Sequence, residues 1–320
     1  MPLRAFAITS WLKAWNLIKN PTHSNVLHCA KKFLTATCKP LSNANSAGLI
    51  FSMDRALQLH ALLASYRDNV NNPAPLSVIF KTNTPDHHRA YLELFKEFSD
   101  ILSAVIHQNQ SSESLRVLVK EWVEQQKAET LFFLVDDILF IEPFDMLHFS
   151  QWATNFSIPS LRMGQNIKYC LMSHSPQSLP NLLKIKKGDS RSADDLLIWQ
   201  WSFAESDWAY PLSLDGHFFQ REEMLSLLKV IDFQTPNQFE LSLQPMNPFY
   251  KPKVGVCFKK SRVVNIPMNR VQNEFENQHL GYHQDELLEM WLKGLRIDVN
   301  SYYGLKNKGP HEGMPLKIKC

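Results

Sequence analysis

The chain contains neither GxGxxG nor GxxxxGK followed by Ser or Thr. Those glycines let a backbone approach a phosphate, so their absence counts against a Rossmann dinucleotide site and a P-loop. Cysteine is sparse. Cys29, Cys38, Cys170, Cys257 and Cys320 are five, an odd number, with no CxxC pair. That argues against a zinc ribbon or a disulfide framework and fits a reducing compartment, so the expectation is a cytoplasmic protein. No apolar run approaches the ~18 residues that cross a bilayer. Lys13 interrupts the only stretch that could serve as a signal core, so no secretory signal is expected. Internal repeats and low-complexity segments are also missing.

Acidic residues are absent before Asp54, whereas Arg4, Lys13, Lys19, Lys31, Lys32 and Lys39 precede it. The whole chain carries 34 Lys and Arg against 31 Asp and Glu, a formal net charge of +3. The remainder therefore has 28 bases against 31 acids and is mildly acidic. This balance is not that of a nucleic-acid binder, and no such partner is expected. Residues 1–47 read as a basic N-terminal arm. Within residues 3–19, Ile8, Trp11, Leu12, Trp15 and Ile18 share one helical side. Such a helix can lie on an anionic membrane surface as a peripheral contact at the cytoplasmic face. A helix packed on the body, or a free arm, accounts for the same pattern. Pro40–Gly48 has the composition of a linker.

The body, 48–320, alternates strand and helix patterns. Strands are expected at Leu49–Met53, Leu76–Phe80, Ile101–His107 and Leu131–Val135. Helices are expected at Ala56–Tyr66, His87–Ser99 and Ser114–Gln126. Leu59, Leu62, Leu63 and Tyr66 should face inward on the first helix, and Leu115, Leu118, Val119 and Trp122 on the third. This order predicts an α/β fold with a mainly parallel central sheet flanked by helices. The second half, rich in Trp and Pro, reads as an irregular extension that builds a pocket wall. Ligands on such sheets bind at the carboxyl ends of the strands.

The stretch richest in chemistry is Leu131-Phe132-Phe133-Leu134-Val135-Asp136-Asp137, after which Ile138–Ile141 resumes the apolar pattern. Two carboxylates there cost several kcal/mol if buried unpaired. A divalent cation, Mn²⁺ or Mg²⁺, is one natural compensation. A charged turn paired with an arginine is the plain alternative. Alternation should point the two side chains apart, with Asp137 favoured for metal and Asp136 for a ribose or a metal-bound water.

Other strand ends carry polar groups too. Ser52, Asp54 and Arg55 end the first strand, where Asp54 can cap the following helix or accept from a nucleobase. Lys81 and Asn83 end the second strand and can meet a base, ribose or phosphate. Arg162 can neutralise a phosphate or pair with a carboxylate. Asp215-Gly216-His217 puts a carboxylate and an imidazole beside a flexible residue, and Glu240 stands in the first turn of a helix. Turn formation and helix-end charge account equally for those two. Aromatics from Trp208 to Phe219 offer rings for stacking on a sugar. His311 should stand exposed in the tail, and His87 and His88 should be solvated.

The order strand–Asp54–helix, strand–Asn83–helix, then Val135-Asp136-Asp137 resembles a nucleotide-sugar glycosyltransferase of the GT-A fold, family 2-like. In that family the acidic motif is usually Asp-x-Asp, and Val-Asp-Asp departs from it. The resemblance covers about 49–150 well and about 195–245 loosely. It implies a single catalytic domain over 48–320, with a nucleotide-binding half at about 48–150 and an acceptor-side half at about 151–320. It also implies a nucleoside-diphosphate sugar donor, a glycan or other hydroxyl acceptor whose proton Asp215 or its rival Glu240 would take, and a Mn²⁺ or Mg²⁺ ion held by Asp137, Asp136 and His311. Metal-dependent glycosyl transfer in glycan or surface polysaccharide synthesis would follow. A nucleotidyltransferase acting on sugar phosphates, and a non-catalytic binding protein of the same fold, remain as alternatives.

Overall fold

The computed structural model describes residues 23–37, 45–108, 113–185, 196–269 and 280–320. The expectations for residues 3–19 and for most of the Pro40–Gly48 linker fall outside these residues. Four apolar segments form parallel strands: β1 (Ser46–Met53), β2 (Leu76–Lys81), β3 (Leu102–His107) and β4 (Thr130–Val135). Helices α1 (Ala56–Asn69), α2 (Pro85–Glu97) and α3 (Leu115–Gln125) connect them in turn. A short strand β5 (Phe218–Gln220) adds antiparallel to β4. The order across the sheet is β5-β4-β1-β2-β3.

Burial explains the pattern. In β1 nearly every residue is enclosed, as expected where helices cover both faces of parallel strands. Ile50 packs into the core on the side of α1 and α2, whereas Leu49 and Phe51 join the core on the side of α3. The predicted inward residues of α1 and α3 are all buried. Thr84 caps α2 by accepting from His87 N, with Pro85 opening the helix. Ser114 caps α3 by accepting from Val117 N at 3.4 Å.

Three expectations need correction here. Ser46, Ala47 and Gly48 belong to β1 rather than to a linker, so a boundary between 47 and 48 would cut a strand. Gly48 serves close packing: a Cβ there would lie 2.5 Å from Phe132 Cζ. A helix at His23–Thr37 buries Val26, Leu27 and Leu34, so part of the basic arm is packed on the body. The second half is also more regular than its composition suggests. Ser157–Pro159, Leu183–Ile185, Leu196–Gln200 and Val254–Phe258 form a second, four-stranded sheet. Ile138–Phe140 pairs antiparallel with Val263–Asn265.

After β3, at the sheet edge, the chain returns to lay β4 on the other side of β1. The strand order therefore reverses between β1 and β4. In open α/β sheets, the crevice beyond the carboxyl ends of two such strands is where ligands bind. Here it lies beside Asp54-Arg55 and Asp136-Asp137.

Candidate active site

Asp136 and Asp137 leave β4 in a tight turn rather than continuing its alternation. Both carboxylates therefore reach the same cation, contrary to the expected divergence. Arg55 Nη1 donates to Asp136 Oδ1 at 2.9 Å and to Asp137 Oδ2 at 3.3 Å. Ser52 Oγ donates to Asp136 Oδ2 at 2.7 Å. Asn265 Nδ2 donates to Asp137 Oδ1 at 2.8 Å. The arginine is anchored in turn, because Nη2 donates to the Asn269 carbonyl. Both aspartates are buried, so this pairing offsets a penalty of several kcal/mol. Burial pushes the Asp137 carboxyl up to about 6, an effect that Asp136 and Asp215 add to and Arg55 and His311 oppose.

The donor set does not fit a divalent ion as arranged. Arg55 takes the position between the two carboxylates. His311, the expected third ligand, presents Nε2 to Asp215 Oδ2 at 3.4 Å instead. Among the described residues no trio of His, Cys, Asp or Glu is placed to hold a metal.

Asp54 does not cap α1. Arg55 occupies that N-cap position without a side-chain hydrogen bond. Asp54 instead sits at φ 52°, in the left-handed region that aspartate tolerates better than most residues. Its Oδ1 accepts from Asn83 N at 2.9 Å, and its Oδ2 accepts from Asn83 Nδ2. The ends of β1 and β2 are thereby tied together. Asn83 is exposed and Lys81 half-buried on the same edge. His87 is buried, with Nδ1 3.9 Å from Asp54 Oδ1, and the His88 ring stacks on His107, so neither is a plain solvated histidine.

A second cluster adjoins the first. Gly216, at φ 74°, turns the chain after Asp215, and its N–H donates to the Phe133 carbonyl of β4 at 2.9 Å. Arg162 is buried. Its Nη2 donates to Asp207 Oδ1 at 2.6 Å, and its Nη1 to Ser213 Oγ at 2.8 Å and Asp215 Oδ2 at 3.4 Å. Of the two roles open to Arg162, carboxylate pairing is the one observed. For Asp215, burial alone would raise the carboxyl. The His311 hydrogen bond and the Arg162 charge reverse that, and its pKa lies below the usual value.

Glu240 lies beyond the first turn of its helix, Pro236–Leu243, whose cap is Thr235. Its oxygens accept from Leu214 N at 2.7 Å and from Tyr210 OH at 3.0 Å. Burial and the nearby Asp215 raise its pKa. Glu240 thus braces the Asp215 turn from behind.

The two clusters are joined by Asn265. Its side chain holds Asp137, and its backbone forms an isolated bridge with His311, which faces Asp215. Sequence reasoning missed Asn265, Asp207 and Ser213. Nothing local marks Asn265 apart from its place at the end of an apolar strand. Of the aromatics expected to stack on a sugar, Tyr210 is half-buried and donates to Glu240, and the others are core residues. Trp208, Phe218 and Phe219 are fully enclosed, and Trp208 meets Trp199 edge-on. A cavity of about 220 Å³ lies elsewhere, lined by Val26, Phe33, Phe156 and Phe249 among others. It is mainly apolar, and it carries none of this chemistry.

No protein-family description matches the chain, and no curated protein sequence matches it. Solved structures do show partial likeness. GalNAc-T7 with UDP, GalNAc and Mn²⁺ superposes with a TM-score of 0.41 at 12% identity, covering 78% of this chain and 48% of that one. S. aureus TarS gives 0.38 at 14% identity, covering 67% of this chain and 34% of that one. A nucleotidyl transferase from Methanothermobacter thermautotroptrophicus gives 0.35 at 9% identity, covering 68% of this chain and 87% of that one. The chain thus spans about half of GalNAc-T7 or less than that of TarS. Likenesses of this size assign neither family nor activity. No helix among the described residues is long and apolar enough to cross a membrane.

Proposed function

We propose that this chain is a glycosyltransferase that moves a sugar from a nucleoside-diphosphate donor to an acceptor hydroxyl. The observation that carries the reading is the meeting of two polar clusters at the switch point between β1 and β4. One, Ser52, Arg55, Asp136 and Asp137, is built on the strand ends. The other, Asp215, Arg162 and His311, faces it through Asn265. Donor at the strand ends and acceptor at the Asp215 turn is the arrangement a transfer reaction needs.

In this reading Lys81 and Asn83 receive the nucleoside, with Asp54 positioning Asn83 and Asp136 positioning Arg55. Asp215 is the base. It is ionised at neutral pH and accepts the proton of the acceptor hydroxyl as that oxygen bonds to the anomeric carbon. The bond from that carbon to the diphosphate oxygen breaks, and the nucleoside diphosphate leaves. Glu240 is assigned a positioning role because both its oxygens are already engaged. Arg162 holds Asp215 in place. The expected Mn²⁺ or Mg²⁺ is not carried into this reading, because Arg55 already occupies both carboxylates. The nucleotidyltransferase reading ranks second, since Ser52-Met53-Asp54-Arg55 has no glycine to admit a triphosphate.

The test is thermal unfolding with UDP, GDP and their sugars, followed by release of nucleoside diphosphate from whichever donor stabilises the fold. Stabilisation by one nucleotide, with slow donor turnover abolished in Asp215→Asn, supports the proposal. Insensitivity to every nucleotide defeats it.

A further inference from the structure

We infer that Arg55 is the resident cation of the Asp136/Asp137 pair, so that a nucleoside diphosphate binds at this edge without Mn²⁺ or Mg²⁺. The first argument is geometric. A single nitrogen, Arg55 Nη1, lies 2.9 Å from Asp136 Oδ1 and 3.3 Å from Asp137 Oδ2. A divalent ion that used both carboxylates would need that same space.

The second argument concerns what holds the arginine there. Arg55 follows Asp54, whose left-handed backbone and two bonds from Asn83 set the course of the chain into α1. Arg55 N donates to Tyr91 OH at 3.0 Å, and its Nη2 donates to the Asn269 carbonyl. The side chain is only 12% exposed. Swinging it out for an ion would abandon two ion pairs and a carbonyl together, and such buried groups are costly to leave unpaired.

The third argument concerns the other lone pairs. Asp136 Oδ2 is taken by Ser52 Oγ and Asp137 Oδ1 by Asn265 Nδ2. A hard cation prefers several free oxygens in a flexible shell, and here each aspartate offers one oxygen to a donor and the other to Arg55. Arginine also differs from an ion in being planar and many-donored, so it can hold both carboxylates and a carbonyl at once. The cation that compensates the aspartate pair is then part of the chain and is present at every metal concentration.

The nucleotide half of this inference rests on the proposed glycosyl transfer; the ion half does not. The experiment separates them using the full chain. Mn²⁺ alone is titrated into wild type and Arg55→Ala and followed by electron paramagnetic resonance of free Mn²⁺. UDP and GDP are titrated calorimetrically in EDTA and again in Mn²⁺. Wild type should take up no Mn²⁺, and its nucleotide affinity should change less than about threefold between the two buffers. Arg55→Ala should lose at least about tenfold in nucleotide affinity in EDTA, gain a Mn²⁺ site, and recover part of its nucleotide affinity when Mn²⁺ is added. Arg55→Lys, which keeps the charge, serves if the alanine variant does not fold, and should bind nucleotide in EDTA better than Arg55→Gln. Stoichiometric Mn²⁺ uptake by wild type, or nucleotide binding by wild type only in Mn²⁺, overturns the inference and leaves glycosyl transfer standing. Absence of nucleotide binding in both buffers overturns the nucleotide half together with the proposed function. The Mn²⁺ titrations still decide the ion half.

Discussion

His311 Nε2 lies 3.4 Å from Asp215 Oδ2, and the backbone of His311 bridges Asn265, whose side chain holds Asp137. A tail histidine thus connects the two acidic centres of the site. It does so through its ring on one side and its backbone on the other. This geometry explains why Asp215 stays ionised in spite of burial, and it gives each residue of the network a separable role.

Asp215→Asn should lower donor turnover by at least about 10²-fold, the scale of a lost general base. Nucleotide affinity should stay within about threefold of wild type. His311→Ala should cost less, since it removes only a partner of the proposed base. Steady-state kinetics beside calorimetric titration provide the comparison, and equal losses in binding and turnover would contradict the assignment.

The pH dependence of stability should carry the mark of Asp137. Its carboxyl is raised from 3.8 to about 6 by burial, so between those values the folded state retains a proton that the unfolded chain releases. Stability from this group is therefore greatest below about pH 4 and falls as pH rises towards about 6, by roughly 2–3 kcal/mol at ~1.4 kcal/mol per unit. Asp137→Asn removes the titration. Urea unfolding of both proteins at pH 4 and pH 7 should show wild type losing ground to the variant. A difference that does not move with pH would count against the burial argument.

Glu240→Ala should destabilise the fold by about 1–3 kcal/mol, because Leu214 N and Tyr210 OH lose their acceptor in a buried setting. Glu240→Gln should recover part of this loss and retain more turnover than Asp215→Asn. If Glu240→Gln instead abolished turnover without touching stability, Glu240 would be the base.

Gly255→Ala tests the second sheet. A Cβ at Gly255 would lie 2.2 Å from Trp199 Cζ2, and the indole is packed among Trp201 and Trp208. Overpacking of this kind costs about 1–3 kcal/mol. The unfolding midpoint should fall accordingly, and an unchanged midpoint would show that the tryptophan cluster can yield.

Much of the first half was legible before any coordinates. Short apolar runs placed β1 to β4, and apolar residues at helical spacing placed α1 to α3, within a few residues, because such patterns report the local path of the backbone. The second sheet was less legible. Leu196–Gln200 and Val254–Phe258 are short apolar runs far apart in the chain, and they pair only through tertiary contact. The exposure of Trp208 and Phe219 was misjudged for the same reason, since an aromatic looks alike whether it lines a groove or fills a core.

The sequence by itself determined that carboxylates end the fourth strand and polar groups end the first two, and the strand order then placed them at one edge. Only the tertiary structure decided who partners whom. Arg55 takes the aspartate pair, Asn83 takes Asp54, His311 takes Asp215 and Glu240 takes the Leu214 amide. Each of these is a choice among several chemically equivalent partners. Charge and hydrogen-bonding capacity say that a buried carboxylate must be satisfied, but distance in space says by which group, and local pattern carries no record of that distance.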